Sequence, residues 1–147
     1  MTKEFTHSAL KVHGKKSEDL EIISSHIQDA HVLSSSFSYN SEDQTFVLLG
    51  NRFCWEHFLH PENPIKMRVH SGIHFDHVKN VHKKNIKLHH PSHVHNLLRL
   101  HEEEGCIYLT FSDQEAIRLE VGEISCKIAD LHEPYPTLHA PDHHSGK

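Results

Sequence analysis

Between Ile65 and Phe75 every apolar side chain falls on an odd-numbered residue: Ile65, Met67, Val69, Ile73 and Phe75. A period of two puts all five on one face of an extended chain, so the segment reads as a strand with one buried side. The same period returns at Ile117, Leu119 and Val121, and Phe46-Val47-Leu48-Leu49 is apolar on both sides, as in a central strand. A chain written this way must bury a sheet.

Helical spacing shows once. Leu20, Ile23, Ile27 and Ala30 follow at three, four and three residues and draw one apolar stripe. Ser17 reads as the N-cap, with Glu18, Asp19 and Glu21 placed well against the positive end of the dipole. Ahead of this helix, Ala9 to Val12 suggests an opening strand ending at Gly14.

Turn residues divide the remainder of the chain. Asn40-Ser41-Glu42-Asp43 separates Val32–Tyr39 from Thr45–Trp55 and predicts a hairpin, and Pro61 and Pro64 mark a loop. His89-His90-Pro91-Ser92 is a second loop, and Glu102-Glu103-Glu104-Gly105 joins Val94–Leu100 to Ile107–Phe111. The stretch 122–131 fits either a strand (Ile124, Cys126, Ile128) or a helix (Val121, Ile124, Ile128, Leu131), and the strand is favoured. The expected architecture is α+β. One N-terminal helix precedes about seven strands, in a mainly antiparallel, rolled or partly closed sheet. Residues 1–136 are expected to form one domain and 137–147 a flexible, His-rich tail.

Composition sets the chemistry. Nineteen of 147 residues are histidine, and the formal charge is −5 with all of them neutral. Protonating all nineteen, on top of fifteen Lys and Arg against twenty acids, would bring the chain to +14. No apolar run reaches the roughly 20 residues that span a bilayer, and Met1 to His7 lacks the core of a signal peptide. Cys54, Cys106 and Cys126 are far apart and odd in number, which suits reduced thiols in the cytoplasm.

Four segments together resemble a small bacterial family catalogued only as a domain of unknown function (number twenty-nine forty-eight). They are Glu18–Ile23 running on to Gln28-Asp29-Ala30, Asn51–Glu56, Ile73–Val78, and Ala116–Val121 with Asp130-Leu131. The resemblance spans about Leu10 to Pro136 and implies no reaction, ligand or catalytic residue. The histidines at His77, His89, His90 and His93 depart from its pattern.

Gly72-Ile73-His74-Phe75-Asp76-His77 is similar to the HxHxDH motif of metallo-β-lactamase hydrolases, with glycine in place of the first ligand. On a strand, His74 and Asp76 share a face and His77 points away unless the strand has ended; a polar strand face meeting water explains the run equally well. His89-His90-Pro91-Ser92-His93-Val94-His95 is the better metal candidate. His93 and His95 share a strand face at about 6.5–7 Å, with His89 or His90 available as a third ligand. The nearest acids in sequence to orient those rings are Glu102 to Glu104. The tail set His139, Asp142, His143 and His144 would have to lose chain entropy first, and His70 and His74 lie about 13 Å apart on a strand.

From Lys66 to Arg99, seven cations (Lys66, Arg68, Lys79, Lys83, Lys84, Lys87, Arg99) face a single acid, Asp76. That excess could meet phosphates, but no aromatics are interleaved, and a charged strand edge accounts for it without nucleic acid. Trp55, beside Arg52, reads as a core tryptophan closing a strand end, with a recognition role as its alternative. No serine sits in a nucleophile elbow, and an apolar strand disfavours a Cys54 thiolate.

The expected function is therefore a non-catalytic binding or accessory protein, with no catalytic, cofactor or metal residue assigned. Its partner would be an unknown protein or small molecule, with neither membrane nor nucleic acid. The rivals are a transition-metal-binding protein using His89–His95 and a metal-dependent hydrolase at His74, Asp76 and His77.

Overall fold

The structure is a computed structural model that describes residues 9–55, 66–86 and 93–137. Its helix α1 covers Ser17–Ile27 and buries Leu20, Ile23 and Ile27. The expected stripe is present, one residue shorter. Gln28 caps the helix and Asp29 takes a left-handed φ of 64°. The Asp29 N–H donates to the Leu97 carbonyl at 2.7 Å, so Ala30 begins the next strand instead of a further turn.

The N-terminus corrects the reading of Ser17. The cap is Lys16, Ser17 is the first helical residue, and Asp19 does the capping. Its Oδ2 accepts the N–H groups of Lys15 and Lys16 at 3.0 and 3.1 Å, which satisfies the unpaired donor of the cap residue and that of the residue before it.

The strands, in chain order, are β1 (Lys11–Gly14), β2 (Ala30–Leu33), β3 (Ser38–Asn40), β4 (Thr45–Phe53), β5 (Met67–Phe75) and β6 (Val78–Lys84). They continue with β7 (Val94–Glu103), β8 (Cys106–Phe111), β9 (Ala116–Val121), β10 (Cys126–Asp130) and β11 (Tyr135–Pro136). The seven expected after the helix are all present. The ambiguous segment 122–131 contains β10, a strand paired antiparallel with β5. The expected strand Val32–Tyr39 is broken into β2 and β3 by a single 3-10 turn at Ser34–Ser36, though both pieces still pair with β4. Two strands are additions: the very short β11, and β6, where Val78 is the one buried residue.

All described pairings are antiparallel, in the order β1-β10-β5-β4-β2-β7-β8-β9-β6. β5 runs almost directly into β6, yet the two are six places apart in this order. In a flat sheet those six steps would cover about 29 Å, whereas Phe75 to Val78 can span at most about 11 Å. The sheet must coil so that its β6 edge returns beside β5, as the expected rolled sheet requires. A hydrogen bond closes the return, from Val78 N–H to the carbonyl of Gln44, just ahead of β4, at 2.8 Å.

The coil encloses one main core in which Phe46, Leu48, Ile73, Phe75, Leu109 and Leu119 meet the helix stripe. Fully burying each such side chain is worth about 1.5–3 kcal/mol. Cys54, Cys106 and Cys126 carry no disulfide, and burial pushes the Cys126 thiol up to about 12. No helix among the described residues is long and apolar enough to cross a membrane.

Candidate functional site

Alternation decides which side chains leave the core. On β4, Phe46, Leu48 and Arg52 turn inward, while Leu49 stays half exposed. On the paired β2 and β7, Val32 and His95 are buried while Leu33 and Val94, which are register partners, face out. Leu131, just past β10, completes the set. Leu33, Leu49, Val94 and Leu131 are each 45–51% exposed, and all four line one cleft of about 680 Å³ on the outer face of the sheet. His31, His70 and His132 stand around it with Asn51. Partial desolvation, then the nearby Arg68 guanidinium, lower the His31 pKa against a weaker pull from Asp29, which favours the neutral imidazole. His70 packs against the rings of Tyr135 and His132 at 5.4 and 5.9 Å, and the Asn51 amide bonds the Tyr135 hydroxyl. A second cleft of about 660 Å³ lies beyond the ridge of Leu49 and Leu131 and is floored by Gly72.

Behind Val94 the chain turns chemistry inward. His95 is 1% exposed, and both its ring nitrogens are engaged: Nδ1 with Glu115 Oε1 at 2.8 Å and Nε2 with Ser34 Oγ at 2.5 Å. The second Glu115 oxygen lies 3.9 Å from Nε2 of His93, and the two imidazoles stand edge-on, 4.5 Å between centroids. This is the group of three metal-competent side chains found among the described residues. The acid that meets these rings is Glu115, in the β8–β9 turn, and not Glu102 to Glu104, the nearest acids in sequence. Strand pairing delivers it, because β8 pairs with β7 and the turn returns to the start of β7, with Ser112 N–H on the Asn96 carbonyl at 2.9 Å. His89 and His90, the other suggested ligands, lie outside the described residues, as do Lys87, His139, Asp142, His143 and His144.

The hydrolase trio does not assemble. His74 Nε2 meets Asp76 at 2.9 Å, and Asp76 also accepts from Ser125 at 3.1 Å and pairs with Lys127 at 3.4 Å. Partial burial would raise the Asp76 pKa, but the His74 and Ser125 hydrogen bonds, the His74 charge and Lys127 together hold it low. His77 adopts φ 59° in the β5–β6 link and faces Glu123 at 3.6 Å instead.

The basic set is dispersed. Arg68 is buried on β5, bonding the Asn51 carbonyl at 3.0 Å and lying over the Phe53 ring, while Lys79, Lys83 and Lys84 sit on the edge strand β6. Trp55 is half-buried at the end of β4, edge-on to Phe53 at 4.8 Å, with its indole N–H on the Gln28 carbonyl at 3.1 Å. It joins the strand end to the helix C-cap.

Ser34, His95 and Glu115 also have the connectivity of a hydroxyl–imidazole–carboxylate relay. Ser34 is only 7% exposed, however, and the cleft is lined by Ser35 and Ser36 rather than by Ser34.

No curated protein and no solved structure matches this chain. The family model described as Protein of unknown function (DUF2948) matches residues 10–143, and the chain belongs to that family.

Proposed function

We propose that this protein is a non-catalytic binding protein of the bacterial cytoplasm whose ligand is a small molecule held in the outer cleft. The convergence of Leu33, Leu49, Val94 and Leu131 from four separate segments carries the reading. Single exposed apolar residues are ordinary, whereas four lining one concavity mark a binding surface. The volume falls within the roughly 300–1,000 Å³ of small-molecule sites. The rim supplies hydrogen-bonding groups from Asn51, His31, His70 and His132, so the fitting ligand has an apolar body and polar edges. Three reduced cysteines suit a reducing compartment.

The test is saturable binding of an environment-sensitive apolar dye, followed by fluorescence. Leu49→Glu and Leu131→Glu should abolish it. Ile22→Glu, on the exposed side of the helix, should leave it intact. Equal loss in all three variants, or no saturable binding by the native protein, overturns the reading.

A further inference from the structure

We propose that His93, His95 and Glu115 form a binding site for a divalent transition-metal cation of the zinc type, separate from the outer cleft and independent of it. Three observations converge. The first is geometric: one donor atom from each residue lies within 4.8 Å of the others. Around an ion with bonds of about 2.0–2.1 Å, tetrahedral donors stand about 3.3 Å apart. The Glu115–His95 separation of 2.8 Å and the Glu115–His93 separation of 3.9 Å bracket that value. His93, at 40% side-chain exposure, has room to close the difference and leaves an entry path.

The second is charge. The Glu115 side chain is 6% exposed, and its ion-pair partners among the described residues are the two imidazoles, with no Lys or Arg. A buried carboxylate requires a compensating cation. The two imidazoles beside it supply ligands, and a metal ion held by them would supply the charge.

The third is the outer ring of contacts. A metal-bound histidine characteristically donates its other N–H to a fixed acceptor. With Nδ1 of His95 on the ion, Nε2–H points at Ser34 Oγ at 2.5 Å. Phe37 and Phe111 pack on the same ring at 5.4 and 5.7 Å and lock its plane, while Ser34 N–H holds the His93 carbonyl at 3.0 Å. Two imidazoles and one carboxylate leave a fourth position for water or an exogenous ligand.

The serine relay needs the opposite tautomer, with Nδ1–H on Glu115 and a bare Nε2 facing Ser34, so the two assignments exclude each other. The experiment uses the full, untagged chain, stripped with a chelator and titrated with Co²⁺ while visible d–d absorption is read, with Zn²⁺ as competitor and elemental analysis for stoichiometry. One tight equivalent is expected. Glu115→Gln, which keeps an acceptor for His95, and the half-exposed His93→Ala should each weaken it at least about tenfold, with circular dichroism reporting an unchanged fold. His74→Ala and His143→Ala should not weaken it, which separates this site from adventitious binding by the other histidines. Absence of a tight equivalent, tight binding that survives both His93→Ala and Glu115→Gln, or His95-dependent labelling of Ser34 by a fluorophosphonate overturns the assignment.

Discussion

Arg52 and Asp130 form a closed ion pair inside the protein, Nε to Oδ1 and Nη2 to Oδ2, both at 2.9 Å, with side chains 1% and 0% exposed. The carboxylate also accepts the Ser71 hydroxyl at 2.7 Å and the Leu10 N–H at 2.8 Å. One side chain thereby ties β4, β5, β10 and the residue before β1 together.

Acid should weaken this knot. Burial alone would raise the Asp130 pKa, but the hydrogen bonds from Arg52, Leu10 and Ser71, with the Arg52 charge, hold it at about 2. An unfolded aspartate titrates near 3.9. The folded value is depressed, so the stabilisation is complete above the unfolded pKa and is lost as pH falls from about 5 toward 2. It amounts to about 2–3 kcal/mol. Urea unfolding at stepped pH should show that decline, and Asp130→Asn should lack this component.

Breaking the pair from one side should cost more than replacing it. Arg52→Met leaves a buried carboxylate without its cation, a loss of about 3–5 kcal/mol. The double variant Arg52→Met with Asp130→Leu removes both charges and should recover most of that loss. Denaturant midpoints decide the matter: a double variant no more stable than Arg52→Met would show that shape, and not charge, holds the site.

Arg52 and Asp130 were both visible in the sequence as parts of the family resemblance, but nothing in their spacing announced that they meet. Their partnership depends on β4 and β10 flanking β5, a topological fact. The odd-numbered run at Met67–Phe75 was legible because its two faces meet different media. β6 was not, because its last six residues are all solvated in part or in full, and Val78 alone marks the core side. The candidate metal site was half legible. His93 and His95 advertise themselves by a spacing of two, whereas Glu115 is twenty residues downstream in a turn and joins them only through β7–β8 pairing. His74 and Asp76 do meet as their shared strand face implied, and His77 is carried off by its left-handed backbone.

The β7–β8 hairpin contains an improvable turn. Glu104 and Gly105 both have positive φ, 50° and 79°, between the register partners Glu103 and Cys106. Two-residue turns of this shape favour Asn-Gly, because Asn tolerates the left-handed region better than Glu. Glu104→Asn should stabilise the protein by about 0.5 kcal/mol, since the Glu102 carboxylate, and not Glu104, accepts the Gly105 N–H. Calorimetry should register a higher Tm, and a decrease would mean that Glu104 holds the turn through its own side chain.

Gly14 should be the least replaceable of the described glycines. It ends β1 where that strand passes over the first turn of α1, and a methyl group there would lie 2.9 Å from Cβ of Asp19 and 3.0 Å from Cδ1 of Ile23. Cδ1 of Ile23 is a side-chain tip that can rotate. Cβ of Asp19 is fixed to the helix backbone, and the same side chain holds the N–H groups of Lys15 and Lys16. Relief therefore requires moving the helix start, which also loosens its cap. Gly14→Ala should cost about 1–3 kcal/mol. Gly72→Ala is the control, because its added methyl would meet Leu131 and Leu49 at an ordinary 3.7 Å. Urea unfolding with an unchanged m-value should separate the two variants by at least about 1 kcal/mol; equal midpoints would show that β1 and α1 yield to each other more readily than their contact distances imply.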